Sequence, residues 1–176
     1  MKKDFEFVVD LVEEFTSQKY IIEKLNQFEV LKLTGWEIWF QIEFALFLES
    51  HTNIKKWERE KNYIRDRRKA LLGGVVAIDF IIKKVNAKKS QYIAIELKQN
   101  NSMYKCVNNM ICDINKVELL KPTELNQIRC LINIGIHLVP KQKVMTDLLD
   151  ESDIKSMTKH ICCRKINNTN FAYTIF

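Results

Sequence analysis

The stretch Tyr92-Ile93-Ala94-Ile95-Glu96-Leu97-Lys98 decides how the chain is read. Its β-branched and aliphatic residues are of strand length, and side chains alternate across a strand, so Glu96 and Lys98 share one face with Cα atoms roughly 6–7 Å apart. A carboxylate and an amine therefore point at one small volume inside an apolar strand. On an exposed strand such a triplet is only a solvated ion pair. In a buried one it persists when matched by an opposite charge or a metal ion.

Just upstream, Ala77-Ile78-Asp79-Phe80-Ile81-Ile82 is a second apolar strand, entered through Gly73-Gly74. The polar residues 86–90 join the two strands as a hairpin. Mg²⁺ takes oxygen ligands, keeps several waters and is usually held by one or two carboxylates with substrate phosphate oxygens, so Asp79 and Glu96 suit Mg²⁺ or Mn²⁺. An adjacent ammonium can orient a nucleophile or stabilise charge on a phosphoryl group, which suits Lys98.

Further upstream, Gly35 to Glu49 is too long for a typical strand, and Thr34-x-x-Glu37 has the form of a capping box, which predicts a helix from about 35 to 50. At helical spacing the neighbours of Glu43 are Trp39, Phe40, Leu46 and Phe47. A carboxylate in that setting is either a hydrogen-bonded core glutamate or part of the metal site.

Glu43, Asp79, Glu96 and Lys98, in this order, resemble the PD-(D/E)xK nuclease superfamily. Its core runs α-β-β-β-α-β, with an acidic residue on the first helix, Asp on the second strand and E-x-K on the third. The resemblance implies a restriction-endonuclease-like α/β fold, a mixed central sheet flanked by helices. It implies that Asp79, Glu96 and Glu43 hold or support the metal and that Lys98 positions the attacking water. Ile78 stands where the superfamily name has Pro.

The flanking sequence can be laid onto this order. Val8, Leu11, Val12 and Phe15, then Ile21, Ile22, Leu25 and Phe28, have helical periodicity with a break near Thr16-Ser17, an N-terminal extension over 1–33 before a core over 34–176. A charged first strand is expected over Lys56–Ile64, with Trp57, Arg59, Lys61 and Tyr63 on one face. Met103, Val107, Met110, Ile111, Ile114 and Val117 predict a helix over 103–120, ended by Pro122. Residues 128–138 alternate as a long strand, parallel to the E-x-K strand. A helix over 146–161 and a strand over 171–176 complete the chain.

With 176 residues, 47% hydrophobic, the expectation is one domain. No apolar run approaches membrane-spanning length, and the N-terminus lacks a signal-peptide core, so a cytoplasmic protein is expected. The five cysteines have no C-x-x-C spacing, which argues against zinc, and Cys106, Cys112 and Cys130 are read as small buried apolar residues.

The formal charge of +6 has the sign expected for a polyanion partner. Eight basic residues crowd into 55–69, and of these Arg59, Lys61, Arg65, Arg67, Arg68 and Lys69, with Lys105 further on, are candidates for phosphate contact. The same run is equally a solvated basic loop. Trp57 and Tyr63 within it could stack on bases. The expected function is a Mg²⁺-dependent DNA endonuclease. It would work as a homodimer, because two sites are the simplest way to cut two strands, or within a larger assembly that supplies target choice. The alternatives are a catalytically silent nucleic-acid-binding protein and a protein-interaction subunit on the same fold.

Overall fold

The structure, a computed structural model, describes residues 2–66, 68, 74–87, 91–141 and 160–176. Three helices come first: α1 (Lys2–Thr16), α2 (Lys19–Val30) and α3 (Glu37–Ser50). Strands β1 (Ile54–Ile64), β2 (Val75–Lys84) and β3 (Tyr92–Gln99) follow, then helix α4 (Met103–Glu118) and the single turn α5 (Pro122–Leu125). Strands β4 (Ile128–Leu138), β5 (Cys162–Lys165) and β6 (Phe171–Ile175) close the chain. All six strands form one mixed sheet in the order β1-β2-β3-β4-β6-β5. β3 and β4 are parallel across the α4 connection, and every other neighbouring pair is antiparallel. The protein is an α/β fold with helices flanking the sheet.

Burial explains why these segments take these forms. Val8, Leu11, Val12 and Phe15 line one face of α1 and are buried. The helix ends where the Thr16 hydroxyl turns back to the Val12 carbonyl at 2.7 Å. Phe15 packs against Phe40 and Phe44 of α3 with ring centroids 5.1 and 5.3 Å apart, and Phe44 meets Phe80 of β2 at 5.4 Å. The helices α1–α3 thus cover one sheet face through Phe80, Ile82, Ile93, Ile95, Leu97, Ile132, Ile134 and Ile136. The opposite face carries Tyr63, Val76, Ile78, Ile81 and Ala94 beneath Val117 and Leu120. Met103, Cys106, Val107 and Met110 of α4 form an adjoining cluster with Phe176. Central strand β3, buried on both faces, therefore reads as almost continuously apolar.

Several expectations need correction. β1 begins two residues earlier than expected, and its side chains do not alternate along its whole length. Trp57 packs with the α1–α3 core, whereas Tyr63 lies in the cluster on the other face. The cause is Glu60, whose φ of 52° is left-handed and breaks the pleat. Opposite it, β2 changes phase too: Ile78 and Ile81 belong to one face and Phe80 to the other, with Asp79 between them. Arg59 pairs with Phe80 and Lys61 with Ile78, so Glu60 and Asp79 share the level of the irregularity.

β5 has no counterpart in the sequence expectations. The predicted helix over 146–161 falls outside the described residues except for 160 and 161, which are not helical. Cys106 is buried and Cys130 partly so, but Cys112 is exposed, because it lies on the outer side of α4. Among the described residues no helix is long and apolar enough to cross a membrane.

Candidate active site where β2 and β3 separate

β2 and β3 pair through Phe80–Ile95, Ile81–Ala94 and Ile82–Ile93, and their ladder stops there. The next position on each strand is Asp79 and Glu96. With the main-chain ladder ended, the Leu97 N–H needs another acceptor, and Asp79 Oδ2 supplies it at 2.8 Å. Asp79 is thereby fixed beside the E-x-K segment. Its Oδ1 makes no hydrogen bond among the described residues.

β3 continues against β4 alone, with Glu96 beside Asn133 and Lys98 beside Gly135. Leu97 belongs to the α1–α3 core, so alternation turns Glu96 and Lys98 toward α4. Glu96 is only 3% exposed. Lys98 Nζ lies 3.0 Å from Asp113 Oδ2 of α4 and 3.9 Å from Glu37 Oε1 of α3. Burial opposes the Lys98 charge. The Asp113 carboxylate, with Glu37 and Asp79 nearby, outweighs it and raises the ammonium above the ordinary lysine range.

Glu37 enters this group in place of a helix cap. Trp36 is the N-cap residue and makes no side-chain cap bond, so the expected capping box does not form. Glu37 Oε2 instead accepts the Gln99 N–H at 2.8 Å, at the end of β3. Burial raises the Glu37 carboxyl above its usual range. Asp79 and Asp113 push it the same way, while the Gln99 N–H and Lys98 pull against them.

Four elements thus converge: Glu37 from α3, Asp79 from β2, Glu96 and Lys98 from β3, Asp113 from α4. Glu43 is not among them. Its carboxylate accepts the Tyr20 hydroxyl of α2 at 3.1 Å, in an exposed position. Six residues along an α-helix amount to about 9 Å of rise and about 240° of rotation, so Glu43 and Glu37 cannot serve the same point. The acidic residue that α3 brings to the site is Glu37, which its place three residues after Thr34 disguised as a capping residue. Asp113 was missed as well. Its signal is a carboxylate in the inward stripe of α4, between Met110 and Val117.

The basic residues are more heavily neutralised than the run of charges implies. Arg59 reaches Gln41 at 3.2 Å and Glu60 at 2.8 Å, and Lys61 meets Glu58 at 2.7 Å. Arg68 binds both carboxylate oxygens of Asp66. Arg65 is half-buried where the chain bridges to Leu120, and Lys105 is exposed on α4. Arg67 and Lys69 lie outside the described residues.

Among the described residues no three His, Cys, Asp or Glu side chains gather tightly enough to hold a metal ion by themselves. Mg²⁺ does not require that, since one or two carboxylates with waters and substrate oxygens suffice. Among the described residues the donors present are hard oxygens, and one Asp79 oxygen makes no hydrogen bond. That chemistry fits a divalent cation. No family model, curated protein or solved structure matches this chain.

Proposed function

We propose that the chain is a metal-dependent nuclease of the PD-(D/E)xK kind, hydrolysing DNA phosphodiester bonds with Mg²⁺ or Mn²⁺ held by Asp79 and Glu96. The observation that carries this is the end of the β2–β3 ladder at Asp79 and Glu96, with Lys98 two residues on and the elements in the order α3-β1-β2-β3-α4-β4. When bound, the cation would lower the pKa of a coordinated water and neutralise charge on the phosphate. Asp79, anchored by the Leu97 N–H, presents a carboxylate at a fixed height on the sheet. Lys98 contributes a cation preorganised for the charge that develops on the phosphoryl oxygens. Glu37 ties the start of α3 to the end of β3 and so keeps the site's edge closed. A second copy or a larger assembly would supply the second cut and the choice of target.

The test is incubation of the purified chain with supercoiled, linear and single-stranded DNA in Mg²⁺, Mn²⁺ and EDTA, beside the Glu96→Ala/Lys98→Ala variant. Metal-dependent cleavage that disappears in the variant is the expected result. DNA binding that needs no metal, with no cleavage in any condition, would instead identify a silent binding protein.

A further inference from the structure

Asp113 stands out because its helix otherwise turns apolar residues inward. Met103, Cys106, Val107, Met110 and Val117 are buried along α4, and Asp113 lies in the same stripe at 1% exposure. An apolar residue would serve packing there better, since exchanging a buried ion pair for well-packed apolar groups commonly leaves stability unchanged or raised. The carboxylate meets the Lys98 ammonium at 3.0 Å. Distance control is built in: Lys98 is in register with Gly135, where α4 comes so close that an added Cβ would lie 2.4 Å from Met110 Sδ. The helix is therefore seated against the sheet at the level where Asp113 meets the lysine.

We infer that Asp113 is a positioning residue for Lys98: from a rigid helix it fixes where the ammonium stands relative to the phosphate, with Glu37, 3.9 Å from the same nitrogen, as a weaker second restraint. This rests on the nuclease reading of the same site. A lysine side chain has four rotatable bonds and many rotamers. Held by a carboxylate on a helix, it enters the reaction already in place.

The experiment compares wild type, Asp113→Asn, Glu37→Gln, Lys98→Gln and Asp113→Asn/Lys98→Gln. It measures single-turnover cleavage at saturating protein, DNA affinity without metal, and melting temperature. Asp113→Asn is expected to slow cleavage about 100-fold, the order of loss from a misplacement of about 1 Å, while DNA affinity stays within about threefold. The double variant is expected to be no slower than Lys98→Gln, because a residue acting through the lysine has nothing left to act on. Asp113→Asn cleaving within about threefold of wild type, or a double variant slower still than Lys98→Gln, would overturn the inference. Should Asp113→Asn fail to fold, Glu37→Gln takes its place, with a smaller loss and the same cycle with Lys98→Gln.

An ammonium ¹H–¹⁵N correlation, assigned through its loss in Lys98→Gln, gives a readout independent of activity. A protected Lys98 signal that moves in Asp113→Asn supports the tie, and its absence from wild type overturns it. A wild-type chain that cuts nothing overturns the nuclease reading, and with it the purpose of the tie, while the ammonium signal still decides whether the tie exists.

Discussion

The imidazole of His137 is fully buried on β4, with Nδ1 2.9 Å from the Leu138 carbonyl and Nε2 2.9 Å from the Thr174 hydroxyl. Only a donor can face a carbonyl, so Nδ1 carries the proton, while the Thr174 hydroxyl can donate to a neutral Nε2 or accept from a protonated one. Burial lowers its pKa below the ordinary value, against a smaller opposing pull from the Leu138 carbonyl. The unfolded chain therefore takes up a proton first as pH falls. This contribution to stability is complete above about pH 6.5 and is lost on acidification through the folded value, at up to about 1.4 kcal/mol per pH unit. Urea unfolding at pH 7.5 and 5.5 should show that slope, flattened in His137→Gln; equal slopes would refute the assignment. Two glutamates of α3, Glu37 and Glu43, give a second comparison. Glu43→Ala removes only an exposed hydrogen bond from Tyr20, so it should cost less than about 0.5 kcal/mol in thermal unfolding and leave plasmid cleavage unchanged. Glu37 was not legible because a glutamate three residues after a threonine has a local partner on paper, and sequence cannot tell that Gln99 outcompetes it. Strand alternation put Glu96 and Lys98 on one face, whereas Asp79 lies where β2 changes phase, and only the register with β3 sets it level with Glu96.

At the scale of elements, the seat of α4 on β4 depends on Gly135. Its backbone has no need of glycine's left-handed range; the need is for space, since a Cβ would meet Met110 Sδ at 2.4 Å and Cys106 Sγ at 2.8 Å. Gly135→Ala should destabilise the chain by about 1–3 kcal/mol through overpacking, measured by urea unfolding. It should also slow cleavage, because lifting α4 carries Asp113 away from Lys98. Full stability and activity in that variant would show that the helix yields without consequence. Helices α1, α2 and α4 could be read from hydrophobic period, because each buries a face that recurs at about 3.6 residues, whereas α3 was read from its length and β6 is buried at every residue. β5 could not be read, because four residues of Cys-Cys-Arg-Lys offer no alternation to detect. The phase change at Glu60 and Asp79 was hidden for a different reason. A left-handed glutamate has no compositional mark.

For the whole molecule the question is how a net charge of +6 is arranged. Acidic residues interleave with the basic run, and Glu58 is the hub: it lies 2.8 Å from Lys56 Nζ and 2.7 Å from Lys61 Nζ. Those two hydrogen bonds hold the Glu58 carboxyl below its usual range. A phosphate approaching β1 must compete with Glu58 for both lysines, so the charge available to DNA is smaller than the count of cations. Binding through about four phosphates would weaken roughly 100-fold between 50 and 200 mM salt, from a logarithmic slope of about −0.9 per contact. Glu58→Gln removes the internal competitor without adding a cation. It should tighten DNA binding and steepen the slope by up to about 0.9 for each lysine that then finds a phosphate. Fluorescence anisotropy across that salt range, with wild type beside the variant, measures both quantities. An unchanged slope would mean that β1 does not face the nucleic acid.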